Sequence, residues 1–140
     1  MSKISPVIYD MARRLIAFEA SQSKSSNPNA NAVALVCDKL RIDLAKLAGS
    51  AGFASLLSRA LQMAKAKEPA LKDVEVRADG TLDGIDMIAD TGDNGGIILV
   101  AQFLELLVTF VGAPFTGRVV HGIWPQIPAD TTYLKDEERS

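Results

Sequence analysis

Residues 97–111 read IILVAQFLELLVTFV, fifteen positions of which only Gln102, Glu105 and Thr109 are polar. No other segment limits the fold as tightly. A helix apolar on nearly every side cannot lie on a surface and has to be enclosed by other elements. The run is shorter than the roughly 20 residues that span a bilayer. It also carries an interior carboxylate, which lipid penalises. A buried central helix over about 97–111 is therefore predicted, and a membrane span is not. On helical spacing, Ile98, Gln102, Glu105 and Thr109 share one narrow stripe, while Val100, Leu104, Leu107 and Val111 share the opposite one. Glu105 must pair, reach water or stay protonated. Either it sits on a wet stripe beside Gln102, or it anchors an interface or ligand pocket, with Arg118 the first partner to test.

The rest of the chain supplies the enclosure. Ser5-Pro6 reads as a cap and first turn. Val7, Met11, Leu15 and Phe18 follow at helical spacing, with Ile8 and Ile16 beside them. They predict a helix over about 6–20 with Arg13, Arg14 and Glu19 off its apolar stripe. Residues 21–31, rich in Ser and Asn, predict a flexible connection with Asn31 as the next cap. Val33, Val36, Leu40, Leu44 and Leu47 form the buried face of a second helix. The segment Gly49-Ser50-Ala51-Gly52 ends it and opens a third, whose inner face is Phe53, Leu56, Leu57, Leu61 and Ala64 and whose stop is Pro69. Gly112-Ala113-Pro114 breaks the central helix. Phe115, Val119, Val120, Ile123 and Trp124 then give a short last helix.

Between the third and central helices the pattern changes. Residues 68–93 hold eight acids against two bases. Val74-Glu75-Val76-Arg77 alternates and Asp79-Gly80 is a hairpin-turn dipeptide, so a small β-hairpin is predicted over about 73–84. Thr91 to Gly96 reads as a glycine-rich flexible loop. The run from Asp79 to Asp90 partly copies a calcium loop. However, Thr81 stands at its third position and Asp replaces Glu at its twelfth, so a solvated acidic hairpin is the preferred reading.

The architecture that follows is mainly α. It is a bundle of about five helices around the 97–111 helix, with one small hairpin. Residues 1–129 form one helical domain, and 130–140 a disordered polar tail. The length fits a single domain that needs no staple. A net charge of −2 lacks the basic excess of a general nucleic-acid binder. The second and third helices resemble a helix-turn-helix. The outer face of the third, Ala51, Ser55, Ser58, Arg59 and Gln62, is too sparse in basic groups, so a plain helical hairpin is preferred. The Gly49–Gly52 spacing also matches the loop of KH domains, without the strands or basic loop which that fold requires.

Cys37 is the only cysteine and His121 the only histidine. An intramolecular disulfide and a cysteine-based zinc site are excluded, and no cofactor or metal is expected. A Cys37–His121 catalytic pair lacks an orienting third group. The start, Met1 to Pro6, has no apolar leader, which together with the lone cysteine predicts a cytoplasmic protein.

The segments LAGSAGFASLLSRALQMAKAKEP (Leu47–Pro69), VRADGTLDGI (Val76–Ile85) and LVAQFLELLVTFVGAPFTGRVVHGIWP (Leu99–Pro125) resemble small uncharacterised bacterial proteins. In that group the break after the central helix reads Gly-Glu-Ala, so the acid is missing at Ala113. The resemblance implies one compact domain of bacterial type and no activity.

The function predicted first is a non-enzymatic protein-interaction or regulatory module that self-associates as a homodimer, with a second protein as a further possible partner. Its grounds are the absence of a catalytic motif and apolar helices that exceed what one small domain covers. The alternative is a small-molecule binder or enzyme with a pocket between the last two helices. Its candidate residues are Gln102, Glu105, Thr109, Thr116, Arg118, His121 and Trp124. A DNA-binding helix-turn-helix stands third.

Overall fold

The computed structural model describes residues 6–22, 28–84 and 94–125. Among them are four helices and a two-stranded sheet. The order is α1 (Pro6–Gln22), α2 (Pro28–Lys67), a 3-10 turn (Pro69–Leu71), β1 (Glu75–Val76), β2 (Leu82–Asp83), α3 (Asn94–Val111) and α4 (Ala113–Ile123). No helix among the described residues is long and apolar enough to cross a membrane.

The predicted second and third helices form one element, α2, interrupted at a single residue. Gly49 has φ 79° and ψ 162°, the one non-helical conformation inside it. The predicted four-residue turn is thus reduced to one corner, because glycine adopts a positive φ at no steric cost. The corner reverses the chain. Val33, sixteen residues before Gly49, abuts Gly96 of α3, while Glu68 and Leu71 abut Gly95. Two arms of roughly 24 and 28 Å therefore return to adjacent residues of α3. This is a tight helical hairpin, unlike a helix-turn-helix, whose helices cross at roughly 90–120°. Helix α2 also starts earlier than predicted, at Pro28, so Asn31 lies inside it and not at its cap.

Helix α3 is the centre of the molecule. Both arms of α2, together with α1 and α4, pack on it. Leu99, Val100, Ala101, Phe103, Leu104, Leu106 and Leu107 are all buried. Phe103 meets Phe53 of α2 with ring centroids 5.3 Å apart and tilted, a favourable aromatic geometry. Helix α3 begins three residues before the predicted start. Gly95 and Gly96 are packing positions and not a flexible entry: a β-carbon on Gly96 would lie 2.4 Å from Val33 Cγ2. Gly112 (φ 92°) separates α3 from α4. The break predicted at Gly112-Ala113-Pro114 thus falls at Gly112, and Pro114 sits in the first turn of α4, where its missing N–H costs nothing.

The hairpin forms where predicted. Glu75 pairs with Asp83 and Val76 with Leu82. Asp79 Oδ1 accepts from the Thr81 N–H at 3.0 Å and from Thr81 Oγ1 at 2.7 Å. These bonds hold the Asp79 carboxyl below the usual carboxylate range. The hairpin tip packs on both arms of α2, with Gly80 against Phe53 and Arg41. The second half of the calcium-like run (85–90), residues 91–93 of the predicted loop and the predicted tail lie outside the described residues.

Candidate functional site

The structure disperses most of the residues singled out in the sequence. Gln102 is 1% exposed, contrary to the wet stripe predicted for it. Met63 of α2 covers it, and the amide Nε2 reaches the Met63 Sδ at 3.8 Å while Oε1 has no hydrogen-bond partner among the described residues. The stripe opens toward its end: Glu105 is half-buried and Thr109 exposed. The Thr109 hydroxyl donates to the Glu105 carbonyl at 3.0 Å, a bond within its own helix. Thr116 does likewise, donating to the Gly112 carbonyl at 2.9 Å. The Arg118 guanidinium, the partner expected for Glu105, lies over the Phe115 ring at 5.9 Å. His121 is exposed on α4. Cys37 is buried, and burial pushes its thiol up to about 12. A thiol so held is un-ionised at neutral pH and is no nucleophile. Among the described residues no group of three His, Cys, Asp or Glu could hold a metal ion.

Trp124 belongs to a different cluster, which the sequence did not reveal. Its indole Nε1–H donates to Glu19 Oε2 at 2.8 Å. Lys39 Nζ donates to the same oxygen. Glu19, expected off the apolar stripe of α1, is 3% exposed. The carboxylate thus ties α1, α2 and the end of α4 together. Its two donors stand 20 and 105 residues away in sequence, so no local pattern announces it. With both groups engaged, the cluster is structural.

An open cleft lies at the Gly49 corner. It encloses about 480 Å³ between Leu44, Leu47, Ala48, Phe53 and Leu56 of α2, Leu107, Phe110 and Val111 of α3, and Phe115 of α4. The size suits a small-molecule pocket, as does the apolar lining. None of the seven residues proposed from sequence as pocket lining belongs to it. Leu47 continues the apolar stripe of α2, yet it is 69% exposed. Phe110 and Val111, on the last turn of α3, are 61% and 45% exposed beside it. Scattered exposed apolar side chains are ordinary, whereas a contiguous apolar patch beside a cleft marks a binding surface.

Two polar side chains line the cleft, Ser55 and Arg59. Arg13 and Arg14 pair with Asp10, Arg41 with Asp38 and Arg77 with Asp83, and Arg118 lies over the Phe115 ring without an ion pair among the described residues. Arg59 has no ion-pair partner among the described residues. A smaller hollow of about 230 Å³ separates the hairpin from the first arm of α2, beside Cys37 and Asp38. No protein-family model, curated protein or solved structure matches the chain.

Proposed function

We propose that this chain is a non-enzymatic binding module whose working surface is the cleft at the Gly49 corner. One observation carries the reading. The exposed side chains of Leu47, Phe110 and Val111 converge on a cleft of about 480 Å³, whereas the residues able to do chemistry are buried, engaged or scattered. A neutral apolar dye, N-phenyl-1-naphthylamine, tests it. Wild-type protein should take up the dye saturably at one site. Phe110→Gln and Leu47→Gln, both exposed and so harmless to the fold, should weaken uptake on the order of tenfold, as expected for part of an aromatic or leucine side chain's burial. Ile42→Gln supplies the control, since Ile42 is 53% exposed but does not line the cleft. Uptake that is absent, or equally weakened by Ile42→Gln, would refute the reading.

Self-association through the same face is the second reading, favoured by the protrusion of Leu47 and Phe110. Sedimentation equilibrium checks it: a dimer that Phe110→Gln dissociates would support a second copy as the occupant, and a monomer at high concentration would exclude it.

A further inference from the structure

The polar groups at the cleft narrow what it can hold. Arg59 is its one charged lining residue and has no ion-pair partner among the described residues. A guanidinium at the mouth of an apolar groove favours an anion, and its planar fork matches a carboxylate. The last turn of α3 (Phe110, Val111) and the first turn of α4 (Phe115) meet at the same cleft, so their helix dipoles oppose and the sign of the site rests on Arg59. No Asp or Glu lines the cleft to neutralise it. A second copy docked cleft to cleft would bring no acid from that lining to Arg59 either. The remaining lining is Leu, Phe, Val and Ala apart from Ser55 and Gly52.

Building on the reading of the cleft as the binding surface, we propose that its occupant is an anionic amphiphile. An unbranched apolar chain lies along Leu44, Leu56 and Leu107, and its carboxylate meets Arg59. The apolar chain supplies most of the affinity, because each methylene removed from water counts alike wherever it lies in the groove. Arg59 supplies the sign of the head group. Being exposed, it contributes modestly, as screened surface charges do.

Calorimetric titration with decanoate, decanol and decyltrimethylammonium, each below its micelle concentration, tests this on the full chain. Decanoate should bind at one site, on the order of tenfold tighter than decyltrimethylammonium, with decanol between them. Octanoate should bind roughly fifteenfold more weakly than decanoate, about fourfold for each methylene lost. Arg59→Gln should cost decanoate about fivefold and leave decanol unchanged, a split that damage to the fold would not produce. Circular dichroism confirms that the variant is folded.

Equal affinity for the anionic and cationic chains overturns the proposal, as does an equal loss of decanol in Arg59→Gln. If the neutral dye binds but decanoate does not displace it, the amphiphile is wrong and the cleft remains the binding surface. If neither binds, both fall. A dimer that decanoate leaves intact assigns the cleft to a second copy and likewise overturns the proposal.

Discussion

Removing the Glu19 carboxylate should cost more than any other single loss of a polar group in this molecule. In Glu19→Ala the Trp124 indole N–H, buried at the junction of α1 and α4, loses its acceptor. A buried donor left unsatisfied costs about 1–3 kcal/mol. Lys39 loses its partner too, but its side chain is 40% exposed, so its ammonium returns to water and the pair adds only about 0–1 kcal/mol. Deleting buried methylenes leaves a small cavity worth about 1 kcal/mol. The total is about 3 kcal/mol, a large share of the roughly 5–15 kcal/mol that holds a domain folded. Glu19→Gln keeps an oxygen for the indole and should cost about 1 kcal/mol. Urea unfolding followed by far-ultraviolet circular dichroism measures each variant. It also completes a double-mutant cycle with Trp124→Phe, in which the coupling should be about 1.5 kcal/mol. A cost for Glu19→Ala below about 1 kcal/mol, or a coupling indistinguishable from zero, would refute the reasoning.

Further outcomes follow at Gln102, at two glycines and at Cys37. Gln102→Leu should stabilise the protein by about 1–2 kcal/mol in the same urea assay, since the buried Gln102 Oε1 has no hydrogen-bond partner among the described residues; a loss of stability would mean the amide has a partner. Gly96→Ala should destabilise by about 1–3 kcal/mol through its clash with Val33. Gly122→Ala, with nothing within 4 Å, should stabilise by up to about 1 kcal/mol, and calorimetric melting separates the two signs. Cys37 should stay silent to thiol reagents until the chain unfolds. Its raised value (about 12) favours the neutral thiol in the fold, so the contribution is whole below the unfolded thiol's value and declines as pH rises from about 9 toward 12, by up to about 1.4 kcal/mol per unit. Cys37→Ala should lack that slope when stability is measured across the range.

Much of the fold was legible because its strongest signals are local. The 97–111 run marks a core helix, and Asp79-Gly80 beside an alternating segment marks a hairpin turn. The Gly49–Gly52 segment marks the corner, where one positive-φ residue does the work expected of four. Periodicity assigns each side chain to a face but cannot say what a distant element places over it. Leu47 lies on the same stripe as Leu40 and Leu44 yet is exposed at the cleft. Gln102 lies on the polar stripe yet falls beneath Met63. Glu19 is off its stripe and buried, because Lys39 and Trp124 reach it from distant parts of the chain. The cleft was hidden for the same reason. Leu44, Leu56 and Leu107 look like core in the sequence, and Arg59 looks like a lone charge on a sparse face. Only the packing of α2, α3 and α4 at the Gly49 corner turns them into one surface.

Methyl-resolved NMR during a titration with decanoate tests the central claim most directly. The cleft accounts for binding if the methyl signals of Leu44, Leu47, Leu56, Leu107 and Val111 shift together along one saturation curve, while those of Leu15, Val36 and Leu71 stay in place. Shifts spread over the molecule, or gathered on methyls away from the Gly49 corner, would contradict it.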